Sequence, residues 1–496
     1  MAFLVGGANS PEAEAYDIEN SCRFDDGGTP YLTIASLGST ASNAKKFTFS
    51  CWVKLGNISD HRCLFSAGDA DADYVQFNIT NVDTLQAYSS NTFGEDGSAT
   101  NIKTNAVYRD PSAWYHIVWA IDTTEGTAAD RIKLYVNGVR VTSFGTAANY
   151  PAQNTDNDVM GANSVEHFVG QFPNDTQSME GYLSDFYFID GTAYDADDFG
   201  ETDEDSGIWK PKNASVTFGN NGFFLEFKQT GTGTAGTGTI GADTSGNVNH
   251  LTSSDLASTD ITTDTPTNNF CTFNPLDKTV LVLSEGNTKA SHSDANGGEQ
   301  VRGTMGFANG KWYWEFQIGY ELNTNRYYPF GVALCTNTGR NPIESGLKDT
   351  EAYSVTWYTD TSNNLVHEEV YNTLTSVTAS ETYPDEDDIV QFAIDADAGK
   401  VWVGKNNTWL DDASGNVGDP AGGNYPIHSY TVVAGDFIFP AILNVGSQGL
   451  TILLNTGNPA FSISSGNADG DGYGNFEHAP PSGFFAICSK NLAEYG

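Results

Sequence analysis

Apolar and polar residues alternate over short segments through most of the chain, and turn residues end almost every segment. In IKLYVNGVRV (132–141) the apolar side chains fall on one face, on both sides of Asn137-Gly138. An Asn-Gly pair between two alternating segments is a strong signal for a two-residue hairpin turn. DIVQFAIDADAGKVWVGKNNTWL (388–410) repeats the arrangement in the second half with an Asp-to-Gly turn. The pattern predicts antiparallel strands rather than helices.

The spacing of these segments divides the chain into two domains. A chain of 496 residues is too long for one sandwich of ordinary size, and each half carries its own set of strands. Residues 229–269 are rich in Gly, Thr, Ser and Asp and poor in apolar residues, which predicts a linker or a long surface loop. We therefore predict an all-β fold: two antiparallel, jelly-roll-like β-sandwich domains over residues 23–228 and 270–496, joined by that linker and preceded by an arm over residues 1–22.

The chain is strongly acidic, with 63 Asp and Glu against 23 Lys and Arg and a formal net charge of −40. A surface of that sign repels phosphate backbones and anionic headgroups, so we expect no binding of nucleic acid. No segment approaches the roughly 20 apolar residues that a membrane span needs, so we expect no membrane insertion. MAFLVGGANS at the N-terminus lacks the basic region of a secretory signal, and we expect synthesis and retention in a cytoplasm.

Six cysteines are spread along the chain without a CxxC pair: Cys22, Cys51, Cys63, Cys271, Cys335 and Cys488. This spacing indicates neither a zinc site nor a redox motif. In a cytoplasmic compartment the expected state of such residues is a free, buried thiol.

Four segments of the first half, FTFSCWVKL, WYHIVWAID, IKLYVNGVRV and GYLSDFYFIDG, together resemble the concanavalin A-like, laminin-G-like lectin fold. In that fold a strand with a buried Trp, here Trp52, a WYH segment and a VNG hairpin follow one another in this order. The second half resembles a SPRY domain through GKWYWEFQI, FGVAL, DIVQFAIDADAGKVWVGKNNTW and DFIFPAI. The resemblance implies binding of a glycan or a partner through loops of the sandwiches, and it supplies no catalytic residues.

Together with NSCRF, RDPSAWYHIVWAIDTT, DTPTNNF and PPSGFFAICSKNL, the two domains resemble a family of tail-associated or fibre-like virion proteins of marine bacteriophages. The resemblance implies a virion surface protein, made in the host cytoplasm, that binds a host-surface glycan or receptor as a homo-oligomer, either a trimer or a hexamer. It also implies that the arm docks to other virion proteins. Two alternatives stay open: a structural decoration or head-fibre protein that contacts other virion subunits, and a free-standing calcium-dependent lectin.

An acidic turn near the C-terminus, NADGDGYGNFEH, spaces oxygen donors around Gly472 at nearly the intervals of an EF-hand loop. Its distal acid comes one residue early, and His478 stands where an EF-hand has a bidentate Glu. The alternative is a solvated Gly-Asp turn without a metal. The candidate calcium ligands here are Asn467, Asp469, Asp471, Asn475 and Glu477.

A second acidic run, AGDADADY, places the carboxylates of Asp69, Asp71 and Asp73 directly after a predicted strand. Like charges at alternate positions of an extended segment repel one another unless a cation or water separates them. These three residues are therefore also candidate calcium ligands. The alternative is an exposed acidic loop.

Aromatic and basic residues near strand ends are candidates for ligand binding. NRYYPFG places Arg326, Tyr327 and Tyr328 at the start of a second-domain strand, and VTWYTDTSNNL places Tyr358 near a loop. Aromatic rings pack on the faces of sugar rings, and Arg binds carboxylates in bidentate geometry. The alternative is ordinary packing at the rim of the sandwich.

The chain lacks the motifs of the hydrolases that share this fold. Concanavalin-like glycosidases carry two carboxylates on one strand as acid and nucleophile, but neither Glu-x-Asp-x-x-Glu nor Glu-x-Asp-x-Glu occurs here. The eight histidines form no HExxH motif and no Ser/His/Asp set. We therefore expect a protein that is not an enzyme.

Overall fold

A computed structural model describes residues 16–24, 28–90, 99–145, 148–174, 176–204, 206–292, 299–321, 330–335, 353–357, 365–368, 374–377, 384–412, 414–431, 437–445 and 450–496. The described strands form two sandwiches of two large sheets each, and a small two-stranded sheet. The predicted all-β fold with two antiparallel sandwiches is confirmed.

The first sandwich and its extensions contain β1 (Ser21–Phe24), β2 (Tyr31–Ile34), β3 (Lys46–Leu55), β4 (Arg62–Gly68), β5 (Tyr74–Ile79), β6 (Leu85–Ser89), β7 (Thr100–Lys103), β8 (Trp114–Asp122), β9 (Ile132–Val136), β10 (Val139–Val141), β11 (His167–Val169), β12 (Gly181–Asp190), β13 (Gly200–Thr202), β14 (Trp209–Pro211), β15 (Phe223–Leu225), β16 (Thr252–Ser254) and β17 (Ile261–Thr262). Sheet A has the order β10-β9-β8-β3-β12-β1-β17, with β15 also paired to β12. Sheet B has the order β16-β2-β11-β4-β5-β6-β7. Short 3-10 helices span Ala128–Asp130, Ala196–Asp198 and Ser258–Asp260.

The second sandwich contains β18 (Phe273–Lys278), β19 (Val282–Ser284), β20 (Lys289–His292), β21 (Glu299–Gly303), β22 (Lys311–Glu321), β23 (Phe330–Cys335), β24 (Tyr353–Trp357), β25 (Leu365–Glu368), β26 (Leu374–Val377), β27 (Ile389–Asp395), β28 (Lys400–Lys405), β29 (Thr408–Trp409), β30 (His428–Ser429), β31 (Phe437–Val445), β32 (Leu450–Asn455) and β33 (Phe485–Ala486), followed by helix α1 (Ser489–Tyr495). Sheet C has the order β18-β21-β31-β23-β24-β25-β26. Sheet D has the order β19-β20-β32-β22-β27-β28-β29, with β30 on β28 and β33 on β22.

Inward-pointing side chains at alternate positions of the strands form both cores. On β5, Val75, Phe77 and Ile79 enter the core between sheets A and B, so the residues between them point outward. In the second sandwich, Trp312 and Trp314 of β22 enter the corresponding core. The predicted Asn-Gly hairpin is confirmed, since β9 and β10 pair across that turn.

Residues 229–269 do not cross between the sandwiches as a free linker. β16 pairs with β2 at the edge of sheet B, and β17 pairs with β1 at the edge of sheet A. The first sandwich therefore extends to Thr262, and the boundary predicted at residue 228 is wrong. The composition was misleading because these edge strands are only three and two residues long and four of their five residues are polar.

The described part of the predicted arm also belongs to the first sandwich. β1 begins at Ser21, and Ile18 packs against Trp52 and Trp114. The Tyr16 hydroxyl donates a hydrogen bond to Asp185 Oδ2 at 2.9 Å. The chain is therefore already anchored from Tyr16 onward, and the boundary of the predicted arm at residue 22 is too late.

Buried polar contacts join the two sandwiches. Lys54 Nζ donates to Asp264 Oδ2 and to Asn269 Oδ1, both at 2.7 Å, in the segment that leads from the first sandwich to the second. The Tyr182 hydroxyl of sheet A donates to the carbonyl oxygen of Gly286 in the second sandwich at 2.9 Å. A Cβ atom on Gly286 would lie only 2.4 Å from the Tyr182 ring, and the φ of this glycine is +60°. The approach of the two sandwiches therefore depends on the absence of a side chain there.

Other parts of the chain cover the outer faces of two sheets. Tyr194, Phe199 and Trp209 pack over the outer face of sheet A. Phe476 and Phe484 pack over the outer face of sheet D. Both of these sheets are consequently buried on their two sides, and they present little open surface to a ligand.

Candidate functional site

The outer face of sheet B carries the candidate site. Because Val75, Phe77 and Ile79 point into the core, Tyr74, Gln76 and Asn78 of β5 share the outer face. Gln76 lies in register between Ser66 of β4 and Tyr88 of β6. Partners in register project to the same side of a sheet, so polar and aromatic side chains form a continuous row across three strands.

Two tyrosines supply the aromatic part of this face. The rings of Tyr74 and Tyr88 lie with their centroids 5.7 Å apart, and Phe172 packs edge-on against Tyr74 at 4.8 Å. Both tyrosines are half-buried. Burial raises the pKa of the Tyr74 hydroxyl, which keeps it neutral at physiological pH. Such rings offer an apolar surface with a polar edge.

Side-chain amides beside the rings are buried without partners. Among the described residues, neither amide atom of Asn78 or of Gln171 has a hydrogen-bond partner, and Oε1 of Gln76 has none. Asn78 is 1% exposed and Gln171 is 0% exposed. A buried polar group left unpaired costs about 1–3 kcal/mol, and folded proteins carry few of them. These atoms are enclosed by the fold, so a ligand on this face would meet the half-buried residues beside them instead.

A crossing segment, residues 171–174 and 176–178, forms one wall of this site. Ser66 Oγ donates to the carbonyl oxygen of Gln171 at 2.6 Å. The N–H of Cys63 donates to the carbonyl oxygen of Gln177 at 2.8 Å. The first bond places Gln171 over the outer face of β4, beside the row that contains Gln76, and the second holds residue 177 alongside β4. The amides therefore line the inner end of the face, beneath the crossing segment.

The face is more open toward β7. Gln86 and Asn101 are half-buried there, and Gln86 Nε2 donates to Asn101 Oδ1 at 2.8 Å. Each amide keeps further donors or acceptors for another partner, because a carboxamide has two donor hydrogens and two acceptor lone pairs. Gln86, Asn101 and Tyr88 thus present amide groups beside a half-exposed ring.

The predicted acidic run Asp69, Asp71 and Asp73 forms the turn between β4 and β5, directly before Tyr74. All three acids are exposed. Asp69 Oδ1 accepts the N–H of Asp71 at 3.0 Å, and the N–H of Asp69 donates to the carbonyl oxygen of Asp73 at 3.0 Å. The structure therefore brings this group to the rim of the candidate site. Calcium binding by these residues stays a prediction.

The other predicted calcium turn lies in the second sandwich, where Asp469 holds the turn to the rest of the fold. Its Oδ1 accepts the N–H groups of Asp471 and Tyr473, at 3.0 and 2.9 Å. Its Oδ2 accepts the N–H of Ala486 at 2.9 Å and Nδ2 of Asn491 at 2.8 Å. Protein donors thus occupy both oxygens of the buried Asp469 carboxylate.

Glu315 of β22 holds the end of the same turn. Its Oε1 accepts the N–H of His478 at 2.7 Å, and its Oε2 accepts the N–H of Glu477 at 3.1 Å. Burial raises the pKa of Glu315 to about 7 although these donors oppose the shift. Nδ2 of Asn467 donates to the carbonyl oxygen of Glu477 at 2.9 Å. This arrangement does not fit an EF-hand site, in which side-chain oxygens point at one ion.

The remaining predicted residues add no described site. Arg326, Tyr327, Tyr328 and Tyr358 lie outside the described residues, and their role stays a prediction. Across the part of the chain that the structure describes, no three His, Cys, Asp or Glu side chains are grouped so as to hold a metal ion. The helices in that part are all too short or too polar to cross a membrane.

Five of the six cysteines have described side chains, and all five are buried and free, as predicted: Cys22, Cys51, Cys63, Cys271 and Cys488. Burial raises the pKa of each of these thiols. A thiol that stays protonated is a poor nucleophile and a poor metal ligand.

A Ser–His pair on the covered face of sheet A is not arranged for nucleophilic catalysis. Trp209 Nε1–H donates to Nδ1 of His116 at 3.0 Å. Nε2 of His116 therefore carries the proton and donates to Ser50 Oγ at 3.0 Å. Burial lowers the pKa of His116 to about 3. A serine nucleophile needs an imidazole nitrogen that accepts its proton, and this tautomer offers none.

The sequence pattern did not predict the candidate site residues on β5 and β6, which are Tyr74, Gln76, Asn78 and Tyr88. The signal is present in YVQFNI, where two amides occupy the outward positions of a strand. Alternation alone predicts only that such residues face away from the core. The crossing segment that buries the amides comes from a distant part of the chain, so the pattern of β5 does not indicate it.

A comparison with protein families finds a match over part of the first sandwich. A laminin-G-type family model, described as the concanavalin A-like lectin/glucanases superfamily, matches residues 26–194. No curated protein matches the chain in sequence.

The chain is similar to several solved structures. They include the SPRY domain of human HERC1, with a TM-score of 0.26 and 16% identity over 37% of this chain and 96% of that one. A heptameric SAP-like pentraxin from Limulus polyphemus has a TM-score of 0.24 and 16% identity over 36% of this chain and 80% of that one. A presumed carbohydrate-binding protein from Bacteroides ovatus has a TM-score of 0.32 and 13% identity over 49% of this chain and 60% of that one.

Proposed function

We propose that the protein is a non-enzymatic glycan-binding protein that holds a neutral sugar chain on the outer face of sheet B. One observation carries the proposal: half-buried Tyr74 and Tyr88 lie beside the half-buried amides of Gln86 and Asn101, which keep further donors and acceptors. Aromatic rings pack against the apolar faces of sugars, and amides pair with hydroxyl groups as donors and acceptors. The concanavalin A-like match over residues 26–194 is consistent with a binding role.

The negative charge of the protein favours one class of glycan over another. The chain carries a net charge of −40, and Asp69, Asp71 and Asp73 stand exposed at the rim of the face. An anionic polysaccharide would approach against this field, whereas a neutral one would not. We therefore propose a neutral glycan. The sequence predicts a calcium ion at the acidic rim, and chelation of calcium in the binding assay tests this prediction.

The proposed setting is the surface of a bacteriophage virion, where the glycan belongs to the host and the N-terminal arm contacts other virion proteins. This setting is supported by the sequence resemblance alone. The second candidate function is structural decoration of the particle by a trimer or hexamer. The buried hydrogen bond from the Tyr182 hydroxyl to the carbonyl oxygen of Gly286 favours it, because this bond holds the two sandwiches together.

Binding of the purified full chain to immobilised neutral and acidic glycans tests the proposal. We expect retention on one or more neutral glycans and at least tenfold weaker binding of Tyr88→Ala, which corresponds to about 1.4 kcal/mol. Tyr425→Ala is the matched control, because Tyr425 is a 48% exposed tyrosine of the second sandwich. Retention on acidic glycans only, or equal binding by Tyr88→Ala, would refute the proposal.

The same assay separates the remaining alternatives. Loss of retention on chelation of calcium would support an ion at Asp69, Asp71 and Asp73, and Asp71→Asn would then weaken binding as well. Virions that carry Tyr88→Ala should lose adsorption to host cells but keep particle stability. Normal adsorption with fragile particles would favour structural decoration.

A further inference from the structure

A cleft of about 320 Å³ lies where the two sandwiches meet. One wall comes from residues 258–263, which include β17 of the first sandwich. The opposite wall comes from residues 458–463 of the second sandwich. The cleft exists because the two sandwiches are joined, and junctions between domains are common places for small-molecule sites.

Arg23 connects the two walls beneath the cleft. Its Nη2 donates to the carbonyl oxygen of Thr259 at 3.0 Å, and its Nη1 donates to the carbonyl oxygen of Pro459 at 3.3 Å. The same guanidinium lies 3.2 Å from Asp260 Oδ1 and 3.3 Å from Glu285 Oε2. Arg23 is 0% exposed, and these two carboxylates neutralise its charge. The separation of the walls is therefore held by the fold itself.

The lining is polar but uncharged. Ser258, Thr259, Thr263 and Ser462 are among the lining residues, and the described lining contains no Asp, Glu, Lys, Arg or His. The whole chain carries a net charge of −40. An uncharged cleft on such a chain favours a neutral ligand, because neither a cation nor an anion finds a counter-charge in it.

Asn458 gives the cleft a directed polar group. It lines the cleft and is 1% exposed, and its Oδ1 has no hydrogen-bond partner among the described residues. Its Nδ2 donates to the Tyr182 hydroxyl at 3.5 Å, which leaves Oδ1 as the unpaired atom of the amide. A buried acceptor without a partner is unfavourable, and a hydroxyl donor from a ligand removes that penalty.

Apolar side chains complete the lining. Phe461 is 8% exposed, and Ile261 and Ile463 are half-buried beside it. A ligand that fits this cleft must therefore present an apolar face and a polar edge together. The volume lies at the lower end of the roughly 300–1,000 Å³ found for small-molecule sites, which limits the ligand to a small one.

We propose that this cleft binds one neutral, polyhydroxylated molecule of the size of a monosaccharide, with Asn458 Oδ1 accepting a hydroxyl and Phe461 packing against the ring. The site is separate from the outer face of sheet B. It differs from that face in holding a single unit between two domains rather than a chain on an open sheet.

Saturation-transfer difference NMR on the full chain tests this, with the methyl glycosides of glucose, galactose and N-acetylglucosamine as probes. Ser462 is exposed at the rim, so Ser462→Trp fills the cleft without touching the buried contacts, and Ser462→Ala is its matched control. We expect binding of one or more glycosides by the wild-type chain and by Ser462→Ala. We expect at least tenfold weaker binding by Ser462→Trp at an unchanged melting temperature.

Two further variants keep the result interpretable. Thr263→Trp fills the cleft from the opposite wall and should act like Ser462→Trp if that variant fails to fold. Tyr425→Ala should leave glycoside binding unchanged, because Tyr425 lies outside the cleft and outside sheet B. No signal from any of the three glycosides, full affinity in both tryptophan variants, or a tenfold loss of binding in Tyr425→Ala would overturn the proposal.

Discussion

The two outer faces of the first sandwich are both rich in aromatic residues but differ in what lies over them. On sheet A, Trp52 stacks on His116 with ring centroids 4.7 Å apart, and Trp209 lies over the same imidazole at 6.0 Å. On sheet B, Tyr74 and Tyr88 pair with each other and remain half-exposed. The first group is enclosed by a later segment of the chain, while the second keeps surface for another molecule.

This difference shows that aromatic content does not by itself indicate a binding site. The covered face satisfies its polar groups internally: Trp209 donates to His116, and His116 donates to Ser50. On the open face, the half-buried amides of Gln86 and Asn101 pair with each other and keep further donors and acceptors. We infer that the covered face contributes stability and that the open face contributes recognition, and four measurements separate these roles.

The largest expected effect comes from the ion pair at the edge of the covered face. The side chains of Lys54 and Asp264 are 1% and 0% exposed. Lys54→Met leaves a buried carboxylate without its partner, and we expect a loss of about 3–5 kcal/mol in the free energy of unfolding. Urea denaturation of the full chain measures it. The double variant Lys54→Met/Asp264→Leu should recover part of the loss, and a loss below about 1 kcal/mol in the single variant would contradict the assignment.

Trp209→Ala removes the cover from His116. The variant loses a stacked ring and the hydrogen bond to Nδ1. Because Trp209 is half-buried, we expect a loss of about 2–4 kcal/mol, somewhat below the range for a fully buried Trp. Trp209→Phe is the control, since it keeps a ring and loses only the N–H donor, at about 1 kcal/mol. Equal stability of Trp209→Ala and wild type would show that the cover is dispensable.

The pH dependence of stability should also report on the covered face. Burial lowers the pKa of His116 from 6.5 to about 3. Between these two pH values the unfolded chain binds a proton that the folded chain does not, so this residue makes stability fall as the pH falls. We expect His116→Gln to reduce the slope by up to about 1.4 kcal/mol per pH unit.

The quantity to measure is the difference in the free energy of unfolding between the variant and wild type at each pH. This is because Glu315 makes stability change with pH in the opposite direction. Its pKa is raised from 4.5 to about 7, so its contribution to stability falls as the pH rises through that interval. That contribution is common to both proteins and cancels. If the free energy of unfolding changes with pH in the same way for wild type and His116→Gln, the assignment of a neutral, buried His116 is contradicted.

The smallest effect on stability is expected on the open face. Tyr88 is half-buried and contacts the neighbouring Tyr74 ring. Tyr88→Ala should lower the free energy of unfolding by only about 1 kcal/mol, the typical effect of a single substitution. The same variant is expected to lose glycan binding. A loss of stability as large as that of Trp209→Ala would place Tyr88 among the structural residues and remove the contrast between the faces.

The two acidic turns repeat this contrast. Asp69, Asp71 and Asp73 and the turn around Gly472 look alike in sequence, as alternating acids in a short loop. In the fold, the first group is exposed at a hairpin. In the second, the Asp469 carboxylate takes four donors and fastens the C-terminal segment to sheet D. Spacing predicts oxygen ligands in both, but only the surroundings show which oxygens remain free.

The sequence by itself determined the local structure: the two-residue period places strands, and Asn137-Gly138 and the Asp-to-Gly turn at residues 395–399 place hairpins. These features depend on neighbours along the chain, so the pattern contains them. The tertiary structure alone decided that residues 252–254 and 261–262 complete the first sandwich, that Trp209 covers sheet A, and that residues 171–174 enclose the amides of β5. Each of these contacts joins segments far apart in the chain, and their strength comes from burial and hydrogen bonding that a local pattern does not record.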